Sequence, residues 1–482
     1  MQVGEPIYDL IIKNATLVDG TGAPPRRADV ALVGDRIAAV GDLGAASSAV
    51  TLDATGLTLA PGFIDVHTHD DQAVLNRGTI LPKLTQGVTT VVVGNCGISL
   101  APLTLQGEPP PPINLLGGRE RFTYGTFAQY AEALEATPLT VNVAALVGHG
   151  TLRVQHMDDW SGPASHAEID TMAAAVGEAM AAGAMGLSCG LSYPTNRGAV
   201  TGEVVALARA AAGSQGRLCM HIRDEYDGVA GAVREAFQCA RGSGAFLVLS
   251  HQKVAGTANR GRSAELIRIY EEEGAGLPFA IDCYPYTAGS SVLDPVSVGH
   301  SAKVLVTWSQ PHPEMNGCTL EAIAAAWACP QSEAIDRLQP AGAVYFHMLE
   351  TDVSRFLGWD RCMVGSDGLP HDEHPHPRLW GAFARMLGVY VHDRGEFTLA
   401  EAVRKMTALP AAVFGLTGRG RVEPGCFADL VLFDAAQVRD CATYEHPDRP
   451  AAGIRAVFVN GRQAWPDSGE PGSGRYLKGG SI

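Results

Sequence analysis

Between residues 59 and 366 the chain repeats one pattern, a short apolar run, a turn, then a longer segment with helical spacing. HAEIDTMAAAVGEAMAAG followed by AMGLSCGLS is one such unit, an alanine-rich helix feeding a strand. Strands joined through helical crossovers run parallel, because the helix carries the chain back to the edge it started from. Eight runs fit: Leu59–Val66, Thr89–Gly94, Val141–Val147, Met185–Leu191, Arg217–Ile222, Ala245–Ser250, Pro278–Tyr284 and Arg361–Ser366. Eight is the number that closes, so the expected fold is α/β, a TIM-like (β/α)8 barrel.

The two ends of the chain read differently. YDLIIKNATLVDGTG, DVALVGDRIAAVGDL and VTLDATGLTLAPG are short alternating strands cut by Asp-Gly, Gly-Asp and Gly turns, and the pattern returns in CFADLVLFDAAQV and IRAVFVNGRQAW. Two β-rich ends can pair, which predicts a composite small β domain from residues 1–60 and 415–482 around a barrel at 61–414. Two stretches interrupt the barrel rhythm. QGEPPPPINLLGG, residues 106–118, reads as a loop on the rim, and residues 287 to about 342 form an excursion near the barrel mouth. The tail PDSGEPGSGRYLKGGSI, polar and glycine-rich, reads as a loose surface end.

Composition narrows the partners. Hydrophobic residues make up 46 % of the 482 and charged residues 18 %, which suits a packed protein and excludes a disordered one. A net charge of −15 argues against nucleic acid and anionic membranes, leaving a small-molecule substrate. MQVGEPIYDLIIKNATL lacks the basic and apolar regions of a secretory signal, and no apolar run is long enough to cross a bilayer. Ten cysteines without a CxxC pair read as scattered thiols of a reducing compartment, so a cytoplasmic location is expected.

Barrels of this kind carry their chemistry at the C-terminal ends of the strands. Those ends read FIDVHTHDD with His67 and His69, GNCG with Cys96, CMHIRDE with His221, LSHQK with His251, and VGSDG with Asp367. Residues i and i+2 of a strand share a side, so His67 and His69 can both face the axis. One histidine at a strand end is ordinarily structural; six metal-capable side chains on five strand ends point to a metal, and imidazole, thiolate and carboxylate are the ligands of zinc. Cys96, on a glycine-flanked turn, is most simply a metal thiolate, with a cysteine nucleophile the weaker alternative. Four neutral imidazoles, one thiolate and one carboxylate sum to two negative charges, which one zinc neutralises. One tight metal and a second, weak or optional one are therefore expected.

YDLIIKNATLVDGTG, APGFIDVHTH, the GSDG of the eighth strand and PGCFADLVLFD resemble the amidohydrolase superfamily over nearly the whole chain. Within it, GNCGIS, SHQK, DCYPYTAGSSVL and PHPR are similar to the N-acyl-D-amino-acid deacylases, or D-aminoacylases. The resemblance implies zinc-dependent hydrolysis of N-acyl-D-amino acids, with Cys96, His221 and His251 on the tight metal and His67 and His69 on a weaker one or on the substrate. It also implies Asp367 as catalytic acid and base, Lys253, Tyr284 and Arg378 on the substrate carboxylate, and Tyr193 near the pocket. Preference for the D form comes wholly from this resemblance.

From the residues alone, Arg378 after HDEHPHPR reads as a surface arginine, Lys253 as a lysine opening a loop, and His371, His374 and His376 as loop residues of which one could line the pocket. A cyclic-amide hydrolase of the dihydroorotase or hydantoinase kind is the nearest rival, but its bridging lysine is missing from LSCGLSYP at the fourth strand end. A non-catalytic scaffold is a remote second rival, having no need of a full ligand set. Between Thr287 and Leu305 the excursion offers Asp294 and, as a cation, only Lys303, which favours hydrophobic over acidic substrate side chains.

Overall fold

The computed structural model describes residues 8–44 and 46–480; the first seven residues of the stretch read for a leader lie outside them. Eight parallel strands form the expected barrel: Phe63–Asp65, Val88–Val93, Asn142–Ala145 continued by Val147–Gly148, Gly186–Gly190, Arg217–His221, Phe246–Leu249, Phe279–Cys283 and Cys362–Val364. The seam between first and eighth strands is closed by backbone bonds from Asp367 N–H to the His67 carbonyl (2.7 Å) and from His69 N–H to the Gly368 carbonyl (3.0 Å). Both bonds involve residues whose side chains enter the mouth, His67, His69 and Asp367.

Alternation along each strand explains the packing. Leu218 and Met220, Leu247 and Leu249, and Val91 and Val93 belong to the large cluster shared with the surrounding helices, whereas Cys219, Val248 and Val92 join a second cluster with Ile64, Ala144, Ala280 and Met363. That second cluster fills the barrel, and Val413 and Phe414, from the helix Ala408–Phe414 and packed into it, stop one end. With Cys219 inside, the period of two puts His221 inside, and with Ala280 inside it puts Asp282 there.

Leu59–Val66 is not one strand. Thr58–Pro61 pairs antiparallel with Leu430–Phe433, while Phe63–Asp65 pairs parallel with the second barrel strand. Gly62 makes the break, since a Cβ there would stand 2.2 Å from Thr89 Cγ2. The sheet that takes Thr58–Pro61 also holds Tyr8–Leu17, Arg26–Val33, Arg36–Gly41, Ser48–Asp53, Ile454–Val459 and Arg462–Trp465, from both ends of the chain. The tail is less loose than its composition implies: Leu477 N–H donates to the Val143 carbonyl (2.7 Å) and Val143 N–H to the Arg475 carbonyl (2.9 Å), covering the edge at the third strand.

The excursion between the last two strands folds into a three-stranded antiparallel sheet, Ala288–Val292, Val304–Ser309 and Ala341–Phe346, carrying the helices Leu320–Ala326 and Gln331–Leu338. It therefore runs to Phe346, past the expected end at about 342. Among the described residues no helix is long and apolar enough to cross a membrane, and all ten cysteines are free.

Candidate metal centre

The turn after the second strand sets the geometry. Gly94 takes φ +78°, and a Cβ there would meet the Leu146 carbonyl at 2.2 Å, so the turn can lie this close to the third strand only without a side chain. Cys96 follows in the same left-handed region, φ +56°, which aims its thiol at the axis. Sγ lies 3.1 Å from His67 Nε2 and 3.2 Å from His251 Nε2, and His251 Nε2 lies 2.9 Å from His221 Nδ1. His251 and Asp367 also adopt positive φ, +32° and +50°. Three non-glycine residues in this sparsely populated region, all on one cluster, mark strain held at a functional site.

Two donor sets emerge, Cys96 with His221 and His251, and Cys96 with His67, His69 and Asp367, each with its ligand atoms within 4.8 Å of one another. All six residues are buried, and the thiol belongs to both sets. Chemistry supports a metal here, because the donor set is one of imidazole, thiolate and carboxylate, the ligands zinc takes, converging in a buried site. Burial opposes ionisation of Cys96, yet His67 and His251 outweigh it and hold the thiol well below its usual range. For Asp367, burial is likewise overcome, by Arg378 first and then His251, so the carboxylate is ionised at neutral pH.

A surrounding layer holds these groups, and part of it was not foreseen from the sequence. Asp282, at the end of the seventh strand, accepts from His251 N–H (2.8 Å) and lies 3.3 Å from His67 Nδ1. Glu225, four residues after His221, accepts from Lys253 Nζ (2.7 Å) and lies 3.2 Å from His251 Nδ1. A buried lysine, Lys83, donates to Asp65 (2.8 Å) and to the Ser366 hydroxyl (2.7 Å), tying the first strand end to the eighth. The inward parity of Ala280 and Asp282 was the available signal for Asp282. Nothing comparable distinguished Glu225 from a loop acid.

The remaining predicted residues fall as follows. Lys253 is buried with Glu225 and lies 2.7 Å from His251 Nδ1, so it is no solvated loop lysine. Arg378, 1 % exposed, opens the helix Arg378–Arg385 and sets Nη1 2.8 Å from Asp367 Oδ2, with its guanidinium carbon 4.5 Å from the Tyr284 ring centre. The surface reading of Arg378 fails because the proline-rich loop turns it inward. Tyr193 packs at a tilt of 50° against His221, with ring centres 4.7 Å apart, and brings its hydroxyl to 3.4 Å from Ser291 Oγ. His374 and His376 fasten their loop to Tyr444, and neither they nor His371 lines the cavity.

That cavity, about 680 Å³, opens from His221, His251 and Asp367 outward past Lys253, Tyr284 and Tyr193. Pro111 and Asn114 of the proline-rich loop and Leu293 of the excursion wall its outer part. Lys303 is exposed, covers the Phe346 ring at 5.0 Å, and does not line it.

A model of the amidohydrolase family matches residues 50–269 and 337–464. The chain is 47 % identical over 472 residues to the D-aminoacylase of Alcaligenes xylosoxydans xylosoxydans, covering 98 % of this chain and 97 % of that one. A D-aminoacylase structure described by its binuclear metal centre, with one-metal activation and second-metal attenuation, superposes with a TM-score of 0.95 at 47 % identity, covering 98 % of this chain and all of the other. N-acyl-D-glutamate deacylase from Bordetella bronchiseptica, complexed with zinc and a phosphonate mimic of the tetrahedral intermediate, gives 0.95 at 44 % identity, with 98 % and 100 % coverage. The chain belongs to the amidohydrolase family, in the branch of the D-aminoacylases and N-acyl-D-amino-acid deacylases.

Proposed function

We propose that this protein hydrolyses the amide bond of N-acyl-D-amino acids to a carboxylate and a free D-amino acid. The observation that carries the reading is the shared thiol of Cys96 between two buried donor sets, with Asp367 in one of them and the cavity opening beside it. Cys96, His221 and His251 would hold the tight zinc, and His67, His69 and Asp367 with the same thiol would hold a second, weaker one. When bound, zinc lowers the pKa of water from about 16 to about 7 and polarises a carbonyl.

Asp367 would take the proton of the attacking water and deliver it to the leaving nitrogen, a role commonly worth ~10² to 10⁴ in rate. An amide nitrogen leaves poorly unless protonated, so the same carboxyl serves both halves of the reaction. Arg378 keeps that carboxyl ionised between turnovers. With Lys253 and Tyr284, its planar fork would also receive the substrate carboxylate, and Tyr193 would wall the pocket.

Side chains accepted are neutral and apolar in this reading. Cavity acids outnumber cations: Asp224, Glu225, Asp227, Asp294 and Asp367 stand against Arg197, Arg223 and Lys253, of which Arg223 and Lys253 are already paired with Glu235 and Glu225. A second substrate carboxylate would meet net negative charge, while Val292, Leu293 and Tyr345 offer apolar surface. Every residue lining the cavity falls between 111 and 367, which supports treating 61–414 as the catalytic barrel and the two ends as a supporting β domain. Scattered free thiols support a cytoplasmic site of action.

The test is amine release by the zinc-supplied protein from N-acetyl-D-methionine, N-acetyl-L-methionine and N-acetyl-D-glutamate. Fast release from D-methionine alone is expected. Faster release from D-glutamate would overturn the side-chain assignment, and release from the L form would overturn the stereochemistry.

A further inference from the structure

One buried ring in the cavity belongs to neither the donor sets nor their supporting layer. His347 follows the strand Ala341–Phe346 of the excursion sheet, lines the cavity, and is only 4 % exposed, yet neither Nδ1 nor Nε2 has a hydrogen-bond partner. Tyr284 Oη, on a residue 2 % exposed at the end of the seventh barrel strand, also has none. The two face the same notch. The point where a Cβ of Gly289 would stand is 3.4 Å from Tyr284 Oη and 3.4 Å from His347 Nε2. Buried donors left unmade are destabilising, and one oxygen acceptor seated in this notch satisfies both.

Charge selects an anionic acceptor. Lys253 Nζ lies 5.8 Å from the Tyr284 ring centre and the Arg378 guanidinium 4.5 Å from it, so a carboxylate received by those two cations comes to the notch. Each of those cations is already paired, Lys253 with Glu225 and Arg378 with Asp367. With their charge shared in this way, the neutral N–H and O–H groups add further hydrogen bonds and direction to the same carboxylate. The other sides of the His347 ring are taken by Tyr345, stacked at 6.2 Å, and Tyr226, edge-on at 5.9 Å.

We propose that His347 is a substrate-binding residue that donates a ring N–H to the substrate's carboxylate, opposite the hydroxyl of Tyr284; this rests on the deacylase reading and extends it. Burial and the nearby Lys253 ammonium push the imidazole pKa down to about 4, so the ring is neutral at pH 7 and offers one donor. A substrate carboxylate held this way bridges the barrel, through Tyr284, and the excursion sheet, through His347.

The experiment compares wild type with His347→Phe, which keeps the ring's volume, and His347→Gln, which keeps an N–H. In His347→Phe the KM for an N-acyl-D-amino acid is expected to rise about tenfold or more with kcat within about threefold, and His347→Gln to recover part of the loss. Inhibition by the product D-amino acid weakens by the same factor, while inhibition by the matching D-amino-acid amide, which has no carboxylate, is unchanged. Equal weakening for acid and amide, or no change in KM, overturns the proposal. Should His347→Phe fail to fold, Gly289→Ala carries the test, because its methyl enters the notch at ordinary contact distance. The same acid-against-amide split is expected of it, and its absence is equally fatal. Wild-type protein that releases no amine from any N-acyl-D-amino acid overturns the deacylase reading itself; active wild type with indistinguishable variants overturns only the role of His347.

Discussion

Two buried polar clusters sit at neighbouring strand ends of this barrel, and they are built to opposite standards. Beside the third and fourth strands, Glu203 accepts from His149 Nε2 (2.8 Å), from Arg153 and from Ala164 N–H (3.2 Å). Arg153 also donates to the carbonyls of Thr195 (2.7 Å) and Trp160 (2.9 Å), and His149 Nδ1 meets Asn196 at 2.9 Å. Every charge there is answered, and none of these residues has a strained backbone. In the donor cluster, His67 Nδ1 and His69 Nδ1 lack hydrogen bonds, imidazole nitrogens crowd a thiol, and three residues hold positive φ. A finished network serves the fold; one left unfinished is waiting for a ligand.

The contrast predicts that damage to the two clusters registers in different measurements. The largest effect is expected from removing the metal or its shared ligand. Chelation, or Cys96→Ala, should lower kcat by at least about 10⁴, the scale set by returning water's pKa from about 7 to about 16. Zinc added back should restore the chelated wild type but not the variant. Calorimetric titration of the apoprotein should resolve one tight and one weak site; two equal sites would contradict the charge count.

Next comes Asp367→Asn, expected to cut kcat by about 10² to 10⁴ while zinc measured by atomic absorption stays near one per chain. Its melting temperature should fall, because the buried Arg378 loses the carboxylate it is paired with. An active Asp367→Asn would sink the acid and base role outright.

Glu203→Ala costs stability without the loss of turnover. It leaves Arg153 and His149 buried without their carboxylate, which should destabilise the protein by about 3–5 kcal/mol. Zinc content and the kcat of the protein that remains folded should change by less than about threefold. A kcat collapse at unchanged stability would mean that the two clusters are not separate devices.

Much of the donor cluster was legible in the sequence because each ligand sits at a strand end, where a local motif such as GNCG or LSHQK fixes both address and direction. Residues that act through tertiary neighbours were harder to see. Arg378 reaches Asp367 only because the loop HDEHPHPR turns back inward, and Glu225 earns its place by meeting Lys253 from a different loop. The first strand is the opposite case: Leu59–Val66 carries the turn dipeptide Pro61-Gly62 in its middle, and it is there that the chain passes from one sheet to another. His347 follows a strand of the excursion, where strand-end reasoning about the barrel does not reach.

The smallest effect is the most direct measure of how complete the finished cluster is. In the folded protein burial pushes the Glu203 carboxyl up, but the bonds from His149 and Arg153 prevail and bring it to about 2, against 4.5 for the free group. A depressed carboxyl adds stability that is complete above the unfolded value and is lost as pH falls through the folded one. Wild type should therefore lose an advantage over Glu203→Gln, whose amide keeps the shape but not the charge, as pH drops below about 4.5. Between pH 4.5 and pH 3.5 the stability gap should narrow by about 1 kcal/mol. Other carboxyls titrate in both proteins and cancel in the difference. Melting curves of the pair across that window decide the matter: a gap that stays constant means Glu203 is not held ionised by its partners, and the sharp line drawn between the two clusters disappears.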